Sequence, residues 1–130
     1  MEGISVNLFN ELGGQQGVRK LVESFYPKVL NDPIISPLFP KEISPVMDKQ
    51  EMFLSQFFGG PDLYTAEFGH PRMRARHMPF KITPIHADAW LSCMSQALEE
   101  TVDSELLREA VIERLKVSAY FFVNSAEEGI

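Results

Sequence analysis

The sequence predicts an all-α fold. Apolar residues recur at three-four spacing between helix breakers, proline follows Ser or Thr where two of these runs begin, and no segment sustains the period-two alternation of a strand.

Residues 5–12 read as a short helix stopped by Gly13-Gly14. From Gln15 to Asn31 the positions Val18, Leu21, Val22, Phe25, Tyr26, Val29 and Leu30 mark one apolar face, which ends before Pro33. Pro27 lies within that run and is expected to kink or interrupt the helix beside Tyr26, because it removes one backbone hydrogen bond. Residues 32–43, with Pro33, Pro37 and Pro40, read as an irregular connection carrying Leu38 and Phe39.

Ser44-Pro45 has the form of an N-cap followed by proline at the first helical position. The helix it opens carries Val46, Phe53, Leu54 and Phe57 on its apolar face and stops at Gly59-Gly60-Pro61. A polar, glycine-containing loop is expected over 60–70, then a helix of about two turns between Pro71 and Pro79. Thr83-Pro84 repeats the cap signal and opens a helix with Ala87, Trp90, Met94, Ala97 and Leu98 inward, fraying near Val102. Asp103 or Ser104 can cap the last helix, whose predicted inner positions are Leu107, Ala110, Val111, Leu115, Phe121 and Phe122.

A chain of 130 residues suits one domain, 1–130, with a core that needs no disulfide or zinc staple. The net charge of −6 argues against a nucleic-acid partner, which would require a surplus of Lys and Arg on some face. Cys93 is the only cysteine and cannot form an internal disulfide; it reads as buried filler without a chemical role. The N-terminus has neither the basic start nor the apolar run of a secretory signal, and no stretch approaches the ~18 apolar residues of a membrane span. A cytoplasmic protein that does not enter the membrane is expected.

Three polar side chains interrupt the apolar faces. Gln50, four residues after Val46 and three before Phe53, puts a primary amide on the stripe of its helix. Tyr26 and Trp90 put a phenol and an indole N–H on inward faces of two others. Each alone reads as an ordinary core group satisfied locally. Three donors on three helices are harder to reconcile with a dry core and suggest a buried polar ligand.

Of the three histidines, His70 lies in a loop and His86 in a first helical turn, where solvent exposure is expected. His77 stands among Arg72, Arg74 and Arg76 and the apolar Met73, Met78, Phe80 and Ile82. An imidazole, cations and apolar surface are what a haem requires for its iron, its propionates and its macrocycle. Taken alone, the segment reads as a solvated basic turn with an incidental histidine. No HExxH, zinc-type Cys/His spacing, GxSxG, P-loop or GxGxxG offers a competing chemistry.

The segments FFGGPDLYTAEFGHPRMRARHMPFKI and HADAWLSCM, with the breaks at Gly13-Gly14 and Gly59-Gly60, resemble the group II truncated haemoglobins over nearly the whole chain. The resemblance implies a two-over-two helical sandwich holding haem b between the helix of Gln50 and the short helix of His77, with His77 the proximal iron ligand. It places Tyr26, Gln50 and Trp90 at distal positions that donate to a bound ligand, and Val46 at the distal gate, where a small or hydroxylated residue is more usual. Phe39 matches the aromatic that wedges the haem, Phe53 and Leu54 its packing, and Arg76 with Tyr64 its propionate partners; Arg72, Phe80 and Ile82 complete the expected haem contacts.

The implied activity is reversible binding of dioxygen, with carbon monoxide and nitric oxide as further ligands. Superoxide character on bound dioxygen should make such donors tighten binding and slow release, which disfavours bulk transport. The alternative is a peroxidase-like or nitric-oxide-detoxifying enzyme on the same haem; a haem-free helical interaction module is the third reading. A reductase partner and a monomer or weak homodimer are expected.

Overall fold

The computed structural model describes residues 7–70 and 81–124, and no strand occurs among the described residues. Asn7 caps the short α1 (Leu8–Glu11) by accepting from the Asn10 N–H at 3.0 Å, and its own amide donates to the Gly59 carbonyl at 3.1 Å. A left-handed Gly13 (φ 101°) then turns the chain into α2 (Gly14–Leu30).

α2 is the central helix. Val18, Leu21, Val22, Phe25, Tyr26 and Val29 are buried along it, as the spacing predicts, whereas Leu30 is exposed. Pro27 does not interrupt it. Proline 27 is on the exposed face, so the carbonyl that loses its partner faces water. The predicted irregular connection follows, with one 3-10 turn at Ser36–Leu38.

α3 (Ser44–Phe57) begins one residue earlier than the Ser-Pro signal implies. The Ile43 carbonyl accepts the first helical bond, from the Met47 N–H at 2.9 Å, and Ser44 makes no side-chain cap. Ile43 packs against the core, and that contact fixes the entry of the chain. The expected 60–70 loop contains a helix, α4 (Leu63–Phe68), tied back to α3 by Gln56, whose amide donates to Thr65 Oγ1 at 2.8 Å and accepts from the Thr65 N–H at 2.9 Å. Six residues are too few for periodicity to reveal.

Thr83 caps α5 (Pro84–Thr101) and Ser104 caps α6 (Glu105–Phe121), both as predicted. On α6, Val111 and Leu115 are buried, but Ala110 and Phe121 are exposed where inward positions were expected; Ile112 and Ala119 pack against the core instead. α2 packs on α3 and α5, and α5 packs on α6, which gives the two-over-two sandwich. Lys28 reinforces the α2–α5 contact by donating to Glu100 at 2.8 Å, which with a bond from Ser24 holds the Glu100 carboxyl below its ordinary range. No helix among the described residues is long and apolar enough to cross a membrane.

Candidate functional site

The sandwich encloses a cavity of about 440 Å³, within the range of small-molecule and cofactor sites, roughly 300–1,000 Å³. Its walls come from α2, α3, α4, α5, α6 and the connection after α2. Tyr26, Gln50 and Trp90 all line it, so the three donors singled out in the sequence share one space.

Their local settings differ. Tyr26 is buried, its ring edge-on to Phe25 at 4.9 Å and to Phe39 at 5.8 Å between centroids. Trp90 also meets Phe25 edge-on, at 5.1 Å, so Phe25 packs against both the phenol ring and the indole. Burial pushes the Tyr26 phenol above its ordinary pKa, which keeps it a neutral donor. Gln50 is half-buried on α3. None of the three polar groups makes a hydrogen bond among the described residues.

Val46, Phe39, Phe53, Leu54, Tyr64 and Ile82 also line the cavity. Phe53 and Tyr64 meet edge-on at 5.9 Å, and Phe53 stacks on Phe57 at 5.7 Å, giving the cavity an aromatic floor. The positions of His77, Arg72, Arg76 and Phe80 lie outside the described residues. Cys93 is buried, as expected, with its sulfur 4.0 Å from Asp32; desolvation first, then that carboxylate, raises its thiol pKa.

Two wall residues escaped the sequence reading. His86 is not a solvated surface group: it is half-buried, lines the cavity and completes a capping box with Thr83. The Thr83 N–H donates to Nδ1 at 3.0 Å, so the neutral ring carries its proton on Nε2. Lys49 contributes a cation at the exposed edge of the cavity, its Nζ 5.1 Å from the centre of the Phe68 ring. The available signal was spacing: His86 is one turn before Trp90, and Lys49 is three residues after Val46.

An apolar slot with donors aimed from several helices and a cation at its edge suits a flat, largely apolar cofactor that has polar margins and carries a small polar ligand. Fold and site together define a cofactor-binding helical protein of globin type. The comparisons agree. A family model described as bacterial-like globin matches residues 7–124. The group 2 truncated hemoglobin YjbI of Bacillus subtilis is 43% identical over 125 residues, covering 96% of this chain and 95% of that protein. The crystal structure of the group II truncated hemoglobin from Bacillus anthracis superposes with a TM-score of 0.91 at 46% identity, covering 97% of each chain. That of the truncated oxygen-avid haemoglobin from Bacillus subtilis gives 0.85 at 42% identity, covering 92% of this chain and all of that one. The chain belongs to the bacterial-like globins and, among them, to the group II truncated haemoglobins. Membership implies a haem cofactor.

Proposed function

We propose that the chain is a cytoplasmic haem b protein that reversibly binds dioxygen and other diatomic ligands. One observation carries the reading: Tyr26, Gln50 and Trp90, from three helices, face one largely apolar cavity and spend no hydrogen bond among the described residues. Donors that line an apolar cavity and are not spent on the protein are free to donate to a polar guest held there. When bound, haem supplies the iron to which a diatomic ligand attaches.

The remaining roles belong to the chain. In this proposal His77 is the iron ligand, and Phe39, Phe53, Leu54, Phe80 and Ile82 hold the macrocycle by apolar contact. Arg72, Arg76 and Tyr64 take the propionates, joined by Lys49. The lone cysteine, Cys93, cannot supply the paired thiols of a C-x-x-C-H attachment site, which supports non-covalent haem b. Tyr26 and Trp90 can offer a hydrogen each, and Gln50 two, to an outer ligand atom that gains negative charge. Donors held in a cavity of low dielectric slow the release of such a ligand. Val46, which offers no hydrogen bond, narrows the gate. Oxygen avidity in a relative's name supports the same direction. A reductase partner would keep the iron of a bound haem in the ferrous state.

The test is the absorption spectrum of the purified protein with hemin added, reduced under carbon monoxide and then exposed to oxygen. An intense Soret band that shifts with each gas is expected. A flat spectrum after hemin addition would return Tyr26, Gln50, Trp90 and His77 to ordinary structural residues.

A further inference from the structure

His86 serves the fold with one half of its ring and leaves the other half unspent. Nδ1 accepts from the Thr83 N–H at 3.0 Å, and the His86 N–H returns a bond to Thr83 Oγ1 at 3.4 Å, which closes the capping box at the start of α5. With Nδ1 engaged as an acceptor, the neutral ring carries its hydrogen on Nε2, on the edge away from the cap. Nε2 makes no hydrogen bond among the described residues, although the ring is half-buried and lines the cavity. In that state the free edge can donate and cannot accept.

The wall that carries His86 is tied on both sides of it. Before α5 and after α6, Ile82 and Asn124 exchange bonds: the Ile82 N–H donates to Asn124 Oδ1 at 2.9 Å, and the Asn124 N–H to the Ile82 carbonyl at 2.9 Å. Two residues beyond His86, the Asp88 carboxylate on α5 accepts from the Tyr120 hydroxyl on α6. His86 also stands one turn before Trp90, and both line the cavity. α5 therefore presents two donor-only groups, an imidazole N–H and an indole N–H, from Cβ atoms about 5–6 Å apart. Donors fixed by the scaffold before a guest arrives lose little freedom when it binds.

We propose that His86 Nε2–H is a recognition donor for a negatively charged oxygen of the cavity's guest. The proposal rests on the haem reading above, which supplies two sources of such an oxygen: a propionate carboxylate of the cofactor, or the outer atom of a diatomic ligand that gains negative charge. A group that only donates selects an acceptor, and a charged acceptor most strongly. A wholly apolar guest would leave the N–H unpaired and gain nothing from it.

The two tasks of the ring are separable because glutamate and glutamine also close a capping box at this position. His86→Glu keeps an acceptor for the Thr83 N–H but carries no donor; His86→Gln keeps the acceptor and a side-chain N–H; His86→Leu keeps neither. Melts of the chain without hemin should place the first two near wild type and His86→Leu below it. Hemin, and hemin dimethyl ester with its carboxylates blocked, are then titrated into each protein, and the loaded proteins are measured for the carbon monoxide stretching frequency and the oxygen release rate.

If the oxygen is the cofactor's, His86→Glu weakens hemin binding at least about tenfold and affects the dimethyl ester much less. If it is the ligand's, hemin binds as in wild type, the carbon monoxide stretch moves upward and oxygen leaves at least about tenfold faster. His86→Leu, which removes the donor without adding a charge, should move in the same arm as His86→Glu, while His86→Gln stays near wild type. Glu and Leu variants that match wild type in hemin affinity, carbon monoxide stretch and oxygen release would overturn the assignment and leave His86 a cap alone. A wild-type chain that takes up no hemin would overturn the haem reading and this assignment together, so the two failures are told apart.

Discussion

Arg19 on α2 donates to Glu51 on α3 at 3.0 Å, one residue along from Gln50. The same guanidinium also reaches Asp48 on α3 at 2.9 Å and Glu23 on its own helix at 2.9 Å, so a single side chain binds carboxylates of α3 on both sides of the cavity's amide. Gln15 adds a bond to Glu51 at 2.7 Å. Two turns further along α2 stands Tyr26. The Arg19 cluster therefore fixes the helix that carries one donor relative to the helix that carries another.

Arg19→Met should destabilise the chain by about 1 kcal/mol, no more, because the pairs are partly exposed and screened by water. The difference between wild type and variant should shrink as salt rises. Urea denaturation at low and at high ionic strength measures both.

Thr83→Ala removes the hydroxyl that accepts from the His86 N–H at the start of α5. A loss of about 1 kcal/mol is expected, with Thr83→Ser retaining most of the stability. Thermal melts of the two variants side by side separate the lost cap from a general intolerance of change at this buried position.

Gly17 is held against the preceding turn so closely that a Cβ there would overlap the Leu12 carbonyl. Gly17→Ala should cost at least about 2 kcal/mol, although alanine is the better helix former, because backbone must move to admit the methyl group. A chemical denaturation midpoint equal to or above wild type would contradict the close approach.

The Tyr26 phenol titrates above its ordinary value of 10.0 because it is buried. Above that pH the unfolded chain releases the proton while the folded chain keeps it, so the folded state binds more protons and stability falls as pH rises. The contribution is complete below pH 10 and is lost progressively above it. Tyr26→Phe should flatten this alkaline slope, which denaturation at pH 8 to 11 reads directly.

The sequence made the donors legible because an amide, a phenol and an indole are conspicuous on faces otherwise built from Leu, Phe and Val. Thr83-Pro84 and Ser104 were legible for a related reason: capping is local chemistry with a short signature. Less local features were not. The start of α3 was set by Ile43 packing on the core rather than by Ser44, and tertiary packing overrode the capping motif. Phe121 reads as core from its side chain alone, yet it falls on the solvent side of α6 as the helix turns, while Phe122 lines the cavity. His86 looked exposed because it stands in a first turn; its capping bond to Thr83 turns it toward the cavity wall.

In the proposed function Tyr26, Gln50 and Trp90 act together on a gas held in this cavity. The direct measurement is the oxygen dissociation rate of the haem-loaded protein, by stopped-flow displacement with carbon monoxide, for wild type and for Tyr26→Phe, Gln50→Leu and Trp90→Phe singly and combined. Hydrogen bonds to a ligand bearing negative charge contribute about 1.5–3 kcal/mol each, so single variants should release oxygen roughly ten- to a hundredfold faster, and the triple variant faster still. Rates unchanged from wild type in the triple variant, with the haem retained, would show that these donors serve the fold and not the ligand.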